Sequence, residues 1–134
     1  MEIKAGNNYV RMSPRKLRLV ADLVRTKSLD QALIALENSP RRAAVPLLKV
    51  VKQAMANATH NLTLERSSLK IKKIAIDEGP TYKRWQPVSR GRAFEIKKRT
   101  SHIIVVLEGE KGASTQVKTR DVKKERTNKN GKKD

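Results

Sequence analysis

Residues 79–99, GPTYKRWQPVSRGRAFEIKKR, combine the side-chain types that recognise an unpaired polynucleotide. Residues 80–100 contain seven basic side chains and one acidic one, and they include Tyr82, Trp85 and Phe94, three of the four aromatic residues of the chain. Cationic groups bind phosphates, while aromatic rings and guanidinium planes stack on exposed bases. The pattern therefore predicts a nucleic-acid-binding segment, and a merely solvated basic loop is the alternative.

Other reactive side chains in the sequence do not form a pattern typical of catalysis. His60 and His102 lie in different predicted elements, and without a cysteine they cannot build a thiolate metal site. Ser101 precedes His102 at the start of a predicted strand, where neighbouring side chains point to opposite faces. Asp77 and Glu78 stand before Gly-Pro and suit a turn better than a metal site. We predict a binding protein with no catalytic residue, metal or cofactor.

The overall charge supports a polyanionic partner. The 134 residues include 31 Lys and Arg against 13 Asp and Glu, a formal net charge of +18 with a pI near 10.7. Such an excess repels itself unless a partner neutralises it, so nucleic acid is the leading candidate and an anionic membrane surface the second. No apolar segment resembles a signal peptide or a membrane span. We therefore expect a cytoplasmic protein without a membrane partner.

Three helices precede the basic segment in the predicted order. Ser13 and Pro14 are typical of a helix start, and Ser28 is a second candidate cap. The third helix is predicted from about residue 40 to residue 61, with a frayed or kinked first turn because Pro46 falls near its start. The apolar residues at helical spacing are Leu17, Val20 and Val24 with Leu19 and Leu23 beside them, then Leu29, Ala32, Leu33 and Leu36, and finally Ala44, Leu47, Leu48, Val51, Met55 and Ala58.

The basic segment lies between two predicted strands. Residues 69–77 alternate apolar and polar side chains, and the phase slips at Lys72-Lys73, which predicts a bulge. Residues 101–109 form a second apolar run, so a long antiparallel hairpin is the simplest connection. An isolated two-stranded ribbon is marginally stable in water, so this hairpin needs a partner surface. The remainder, residues 109–134, is basic, low in hydrophobicity and predicted to be disordered.

Three stretches of the sequence, RMSPRKLRLVADLVR, ANATHN and DEGPTYKRWQPVSRGRAFEIKKRTSHIIVV, together resemble the bacterial L22 family of large-subunit ribosomal proteins. The resemblance implies an α+β fold with three helices packed on a small antiparallel sheet and a long protruding β-hairpin. It implies a structural constituent of the ribosome that binds large-subunit, 23S-type rRNA during assembly and does not form homo-oligomers. The hairpin tip would line the polypeptide exit tunnel, where changes alter macrolide sensitivity.

Carried over residue by residue, the resemblance divides the chain into an RNA-binding domain at 1–108, with its arm at about 78–100, and the tail. Neighbouring ribosomal proteins and the nascent polypeptide are the further implied partners. At the tip, Val88 cannot contact a phosphate as the arginine at this position in many relatives can, which favours a surface partly facing the tunnel. The implied RNA-binding residues are Arg11, Arg15, Lys16, Arg18, Lys83, Arg84, Arg90, Arg92, Lys97, Lys98, Arg99 and His102, and the implied tunnel tip is Trp85, Gln86, Pro87, Val88, Ser89, Arg90 and Gly91.

Two other classes of protein compete with this interpretation. A DNA-bending architectural protein would also use a basic β-arm with a proline near its tip. Such proteins usually have a dimeric body, whereas the narrow apolar stripes of these helices leave no obvious dimer face. An RNA-modifying enzyme would need a catalytic constellation that the sequence does not display.

Overall fold

A computed structural model describes residues 1–109, which form three helices and a three-stranded antiparallel sheet. This confirms the predicted α+β fold with a long hairpin. The basic tail predicted to be disordered lies outside the described residues from position 110 onward. The elements are β1 (Glu2–Val10), α1 (Pro14–Val24), α2 (Leu29–Glu37), α3 (Ala44–Ala56), β2 (Lys70–Pro87) and β3 (Ala93–Glu108), with a π-helical turn at Asn57–Asn61 and a 3-10 turn at Arg66–Ser68.

The helices begin where the sequence places their caps. Ser13 has extended backbone angles directly before Pro14, whose missing N–H costs nothing at the first helical position. In α2 the side chain of Ser28 accepts a hydrogen bond from the backbone N–H of Gln31 at 3.5 Å. Both cap positions are confirmed, although the Ser13 side chain makes no capping hydrogen bond within the described part of the chain.

The third helix begins later than the predicted residue 40. Regular α-helical structure starts at Ala44, so Pro46 lies in the first turn, where its ring and missing N–H are tolerated. The predicted first turn, frayed or kinked ahead of Pro46, is replaced by a non-helical segment at residues 40–43. At the other end the π-helical turn extends the helical path to Asn61, close to the predicted end.

The apolar set predicted at helical spacing in α1 is only partly buried. Leu19 and Leu23 of α1 are 55% and 54% exposed, whereas Leu17, Val20 and Val24 are buried. At 100° per residue, positions 19 and 23 share one line along the helix that lies away from the line of 17, 20 and 24. The buried stripe of α1 is completed by Ala21 instead, and these two leucines are left on the surface.

The sheet has the order β1-β3-β2, so β3 is its central strand. Ile103, Val105 and Leu107 of β3 are fully buried against the helices, and Ile104 between them is partly exposed on the other face. The register between β2 and β3 shifts between Ile71 and Lys73, which confirms the predicted bulge. Strand β1 was not predicted, because only two apolar residues of its nine alternate into the core.

Beyond a second register shift, between Glu78 and Thr81, strands β2 and β3 continue as a two-stranded ribbon. The arm was predicted at about residues 78–100, and from here on the name is used for this ribbon, residues 81–99. Its pairs run from Thr81 opposite Arg99 to Pro87 opposite Ala93. The ribbon closes through a turn in which Arg90 and Gly91 have φ values of 59° and 68°, as type I′ hairpin turns require. Nearly every arm residue is exposed, so the arm has no core of its own.

Candidate nucleic-acid interface

The two faces of the arm carry different side chains. Residues paired across an antiparallel ribbon point to the same side, so the register assigns every side chain to one face. The Trp85 face contains Thr81, Lys83 and Trp85 with their partners Arg99, Lys97 and Glu95; the Tyr82 face contains Tyr82, Arg84 and Gln86 with their partners Lys98, Ile96 and Phe94. The predicted RNA-binding cations of the arm are therefore divided between both faces.

Few contacts within the arm restrain its cations. Lys83 lies 3.8 Å from Glu95, the single acidic residue of the arm, on the Trp85 face. On the Tyr82 face the Arg84 guanidinium lies 6.0 Å from the centroid of the Tyr82 ring, within the range of a cation–π contact. Trp85 and Phe94 are 65% and 67% exposed. The arm thus presents aromatic rings and cations to a partner on both sides.

Buried hydroxyl groups fix the root of the arm to the body. Thr100 and Ser101 are 1% and 0% exposed. The Thr100 Oγ1 donates a hydrogen bond to the carbonyl oxygen of Pro80 at 2.6 Å, and the Ser101 Oγ donates one to the carbonyl oxygen of Met12 at 2.7 Å. Because a buried unpaired hydroxyl is costly, these bonds tie β3 to β2 at the root of the arm and to the segment before α1.

His102 lies beside this root and has an internal partner. Its Nδ1 accepts a hydrogen bond from the backbone N–H of Tyr9 at 3.3 Å, and the two rings meet edge to face with centroids 4.8 Å apart. The accepting Nδ1 places the proton of the neutral ring on Nε2. The structure thus gives His102 a hydrogen-bonding role within the chain, and a contact to RNA stays a prediction.

A concave groove of about 1100 Å³ lies between the arm root and the body. It runs past the residues before α1 and the start of α3, and no carboxylate lines it among residues 1–109. Exposed apolar and aromatic side chains, including Leu19, Val45 and Tyr82, also contribute to its walls. Seven of the lining residues are cationic: Arg11, Lys16, Arg41, Arg42, Lys97, Lys98 and Arg99.

The groove unites predicted residues that are far apart in the sequence. Arg11 and Lys16 come from the α1 region, and the cations at 97–99 come from the arm. Arg41 and Arg42 were not predicted as binding residues, and their only signal is two adjacent arginines after a proline at 40. The described structure does not place Arg15 in the groove, although its side chain is exposed.

Arg18 has a structural partner on the other side of α1. Its Nε and Nη2 donate to the carbonyl oxygen of Ile76 at 3.3 and 3.1 Å, and Arg25 Nη2 donates to the carbonyl oxygen of Ile74 at 3.1 Å. Strand β2 is an edge of the sheet, so these arginines satisfy carbonyls that no strand pairs. They fasten α1 to β2, while a contact between Arg18 and RNA stays a prediction.

Ion pairs separate the cations into two groups. Lys52 pairs with Glu37 at 2.7 Å and Arg66 with Asp30 at 2.6 Å, both away from the groove. Within residues 1–109 none of the seven groove cations has an ion-pair partner. The attractive field of these cations is therefore available to an external polyanion.

Glu2 and Lys72, whose pKa values are shifted, also lie outside the groove, at the end of the sheet. Lys72 Nζ is 2.6 Å from Glu2 Oε1 and 3.7 Å from Glu108 Oε1. The hydrogen bond and charge of Lys72 lower the pKa of the Glu2 carboxyl, and Glu2 and Glu108 raise the pKa of Lys72. A carboxyl whose pKa is lower in the folded state than in the unfolded state stabilises the fold at pH values above the unfolded-state pKa. The stabilisation by Glu2 is therefore lost as the pH falls through its folded-state pKa.

The predicted tip is exposed and weakly charged. Within 85–91 the only ionisable side chain is Arg90. Val88 is half-buried, and its backbone N–H donates to the carbonyl oxygen of Arg92 at 2.9 Å, which closes the turn.

Residues 1–109 contain no group of three or more His, Cys, Asp or Glu side chains that could hold a metal ion. In the same part of the chain no helix has the length and apolar character that crossing a membrane requires.

Fold and site together define a small, basic α+β protein with an extended β-arm and, at its root, a groove that no carboxylate lines among residues 1–109. Comparison with known proteins narrows this class. A model of the family described as "Ribosomal protein L22p/L17e" matches residues 5–108. The chain belongs to this family of ribosomal proteins, which confirms the resemblance seen in the sequence.

Relatives of similar length support the same assignment. The large ribosomal subunit protein uL22 of Pelotomaculum thermopropionicum is 50% identical over 111 residues, which cover 83% of this chain and 98% of the relative. The protein of the same name from Mycoplasma capricolum is 48% identical, covering 83% of this chain and 100% of the relative. That of Clostridium tetani is 51% identical over 107 residues, covering 80% and 96%.

Proposed function

We propose that this chain is a structural constituent of the large ribosomal subunit that binds large-subunit, 23S-type rRNA and supports subunit assembly. The observation that carries the proposal is the exposed arm joined to a groove with seven cations and no carboxylate among the described residues. The relatives named as large-subunit proteins agree with it. The chain acts by binding and has no enzymatic role.

The shape of the arm suits threading between RNA segments. From Thr81 to the turn at Ser89 the ribbon runs about nine residues, and strands rise about 3.3 Å per residue, so the arm reaches on the order of 30 Å. A ribbon without a core is stabilised when a partner covers it. Ribosomal RNA supplies such a surface and neutralises the cations on both faces.

We propose that the tip, Trp85–Gly91, lines the polypeptide exit tunnel and faces the nascent polypeptide. Its low charge supports this, because a segment clamped wholly on phosphate would be expected to carry more than Arg90. Trp85, Gln86 and Val88 offer apolar and neutral polar contacts. Neighbouring ribosomal proteins complete the set of partners.

The RNA-binding domain in this proposal is residues 1–108, and residues 109–134 form a basic tail without an assigned role. The protein works in the cytoplasm as part of the ribosome, in one copy rather than as a homo-oligomer. The described body supports a single copy because its helices bury their apolar stripes against its own sheet.

The direct test is sedimentation of cell extracts. We expect the protein to co-sediment with large ribosomal subunits and to be released by RNase. DNase is the matched control and should leave it bound. Recovery of the protein on DNA, insensitive to RNase, would replace this proposal with the DNA-bending alternative.

Neutralising Arg41 and Arg42 tests the contribution of the groove. The double variant Arg41→Gln/Arg42→Gln should weaken binding to large-subunit rRNA fragments. The slope of log K against log salt should fall by about 0.7–0.9 for each phosphate that the variant no longer neutralises. The measurement is a salt titration of RNA binding by the full chain.

A charge-matched double variant provides the control for this experiment. Lys52→Gln/Arg66→Gln removes the same two charges, but each of these side chains already pairs with a carboxylate outside the groove. We expect its salt slope to stay close to that of the unmodified chain. Equal slopes for both double variants would show that net charge, not the groove, governs binding.

A further inference from the structure

The groove at the arm root contains features that phosphate binding alone does not require. Tyr82, Leu19 and Val45 line it and are 43%, 55% and 56% exposed. Single exposed apolar side chains are ordinary on protein surfaces, but here three of them share one concavity with seven cations. Duplex RNA presents phosphates and 2′-hydroxyls to a protein and keeps its base faces stacked inside. The apolar walls therefore suit a partner whose bases are exposed.

We propose that this groove binds a single-stranded RNA segment, with one unpaired base stacked on the Tyr82 ring and the flanking phosphates held by Lys98 on the same face of the arm and by Arg41 and Arg42 of the body. The inference rests on the proposed function, because it names the kind of RNA that the same surface recognises. The groove volume of about 1100 Å³ slightly exceeds the range of about 300–1,000 Å³ typical of small-molecule sites. It therefore has room for a base together with its flanking backbone.

Tyr82 is positioned for stacking by its neighbours on the arm. The guanidinium of Arg84, two residues along the same face, lies over the ring at 6.0 Å, and Lys98 stands directly opposite on β3. Within the described residues the Tyr82 hydroxyl has no hydrogen-bond partner, so this hydroxyl is available to a ligand. A base on the ring would extend the arginine–tyrosine stack, with Lys98 beside it for a phosphate.

Arg41 and Arg42 line the same groove from the body side. They precede α3 in the turn before Ala44, and neither has an ion-pair partner within residues 1–109. A strand of RNA lying along the groove would pass between the body and the arm. Binding would thus bridge the groove between the body and the arm, which are already connected by the continuous strands β2 and β3.

The test uses the full chain and two RNA probes that carry the same number of phosphates. One is a short single strand with 2-aminopurine at its centre, whose fluorescence is quenched by stacking; the other is a fully paired duplex. We expect quenching with the single strand. Tyr82→Leu should abolish the quenching and weaken single-strand binding by about 5- to 150-fold, the range for one stacked base, while duplex binding changes little. Tyr82→Phe should retain both quenching and affinity.

Tyr9→Leu is the matched control, because Tyr9 is 60% exposed and lies outside the groove. Its binding should equal that of the unmodified chain. The inference is overturned if the single strand is not quenched, if Tyr82→Leu weakens duplex binding equally, or if Tyr9→Leu has the same effect as Tyr82→Leu. If any of these occurs while the chain still co-sediments with large subunits, the stacking inference alone fails; loss of co-sedimentation in the unmodified chain would overturn the proposed function itself.

Discussion

Gly79→Ala should lower the free energy of unfolding by about 1–3 kcal/mol, the usual cost of overpacking a tight site. A Cβ at Gly79 would lie 2.5 Å from Thr100 Oγ1, 3.1 Å from His102 Nε2 and 3.3 Å from the carbonyl carbon of Thr100. The Thr100 hydroxyl cannot move away freely, because it is buried and donates to the Pro80 carbonyl at 2.6 Å. Urea unfolding of the purified chain measures the loss.

A double-mutant cycle separates this clash from a general intolerance of alanine. Thr100→Ala removes the hydroxyl that the new methyl group meets most closely, so Gly79→Ala should cost less in that background. An equal cost in both backgrounds would contradict the proposed contact. RNA binding gives a second readout, because a displaced root would move Tyr82 and Lys98 away from the opposite wall of the groove.

The sequence suffices for elements whose signals are local. Two helix starts are predicted from residues typical of N-terminal caps, Ser13 with Pro14 and then Ser28. The structure confirms both. The phase slip at Lys72-Lys73 becomes the observed register shift. The hairpin was predicted because two β-type runs flank a segment that no core can accommodate.

Features that depend on tertiary contacts were not predictable in the same way. Strand β1 contains Gly6, Asn7 and Asn8, residues with low strand propensity, and it forms because β3 offers a partner edge over a buried face. Leu19 and Leu23 look like core residues by type, and their exposure is set by where the sheet lies beneath α1.

The same limit applies to the binding surface. The cations of the arm are adjacent in sequence and were identified, whereas Arg41 and Arg42 reach the groove only because α3 packs beside the arm root. Conversely, Arg18 belongs by sequence to the basic face of α1, yet the edge carbonyl of Ile76 engages it. Which cations are available is decided by the positions of the carboxylates and unpaired carbonyls, and these follow from the fold.

Deleting Tyr82–Arg84 should raise the macrolide concentration that half-inhibits translation by about tenfold or more, equivalent to about 1.4 kcal/mol. Thr81 pairs with Arg99, so Trp85 would take the place of Tyr82 opposite Lys98. Because side chains alternate between the two faces of the ribbon, deleting an odd number of residues transfers the following side chains to the other face. The deletion also shortens β2 by about 10 Å at about 3.3 Å per residue, which would withdraw the tip from its proposed position in the tunnel. The measurement is in vitro translation with purified variant ribosomes.

A deletion in both strands separates the effect of the length of the arm from the effect of the face on which its side chains lie. Removing Lys83-Arg84 together with their partners Ile96-Lys97 keeps both register and faces, because two residues leave each strand. This variant shortens the arm by about 7 Å and removes three of its cations, but it leaves Tyr82 in place and Trp85 on its own face, and it should raise the inhibitory concentration. Any additional effect of the three-residue deletion would then arise from the loss of Tyr82 or from moving Trp85 to the opposite face. Unchanged inhibition by both variants, in subunits shown to contain the shortened chain, would place the tip outside the tunnel.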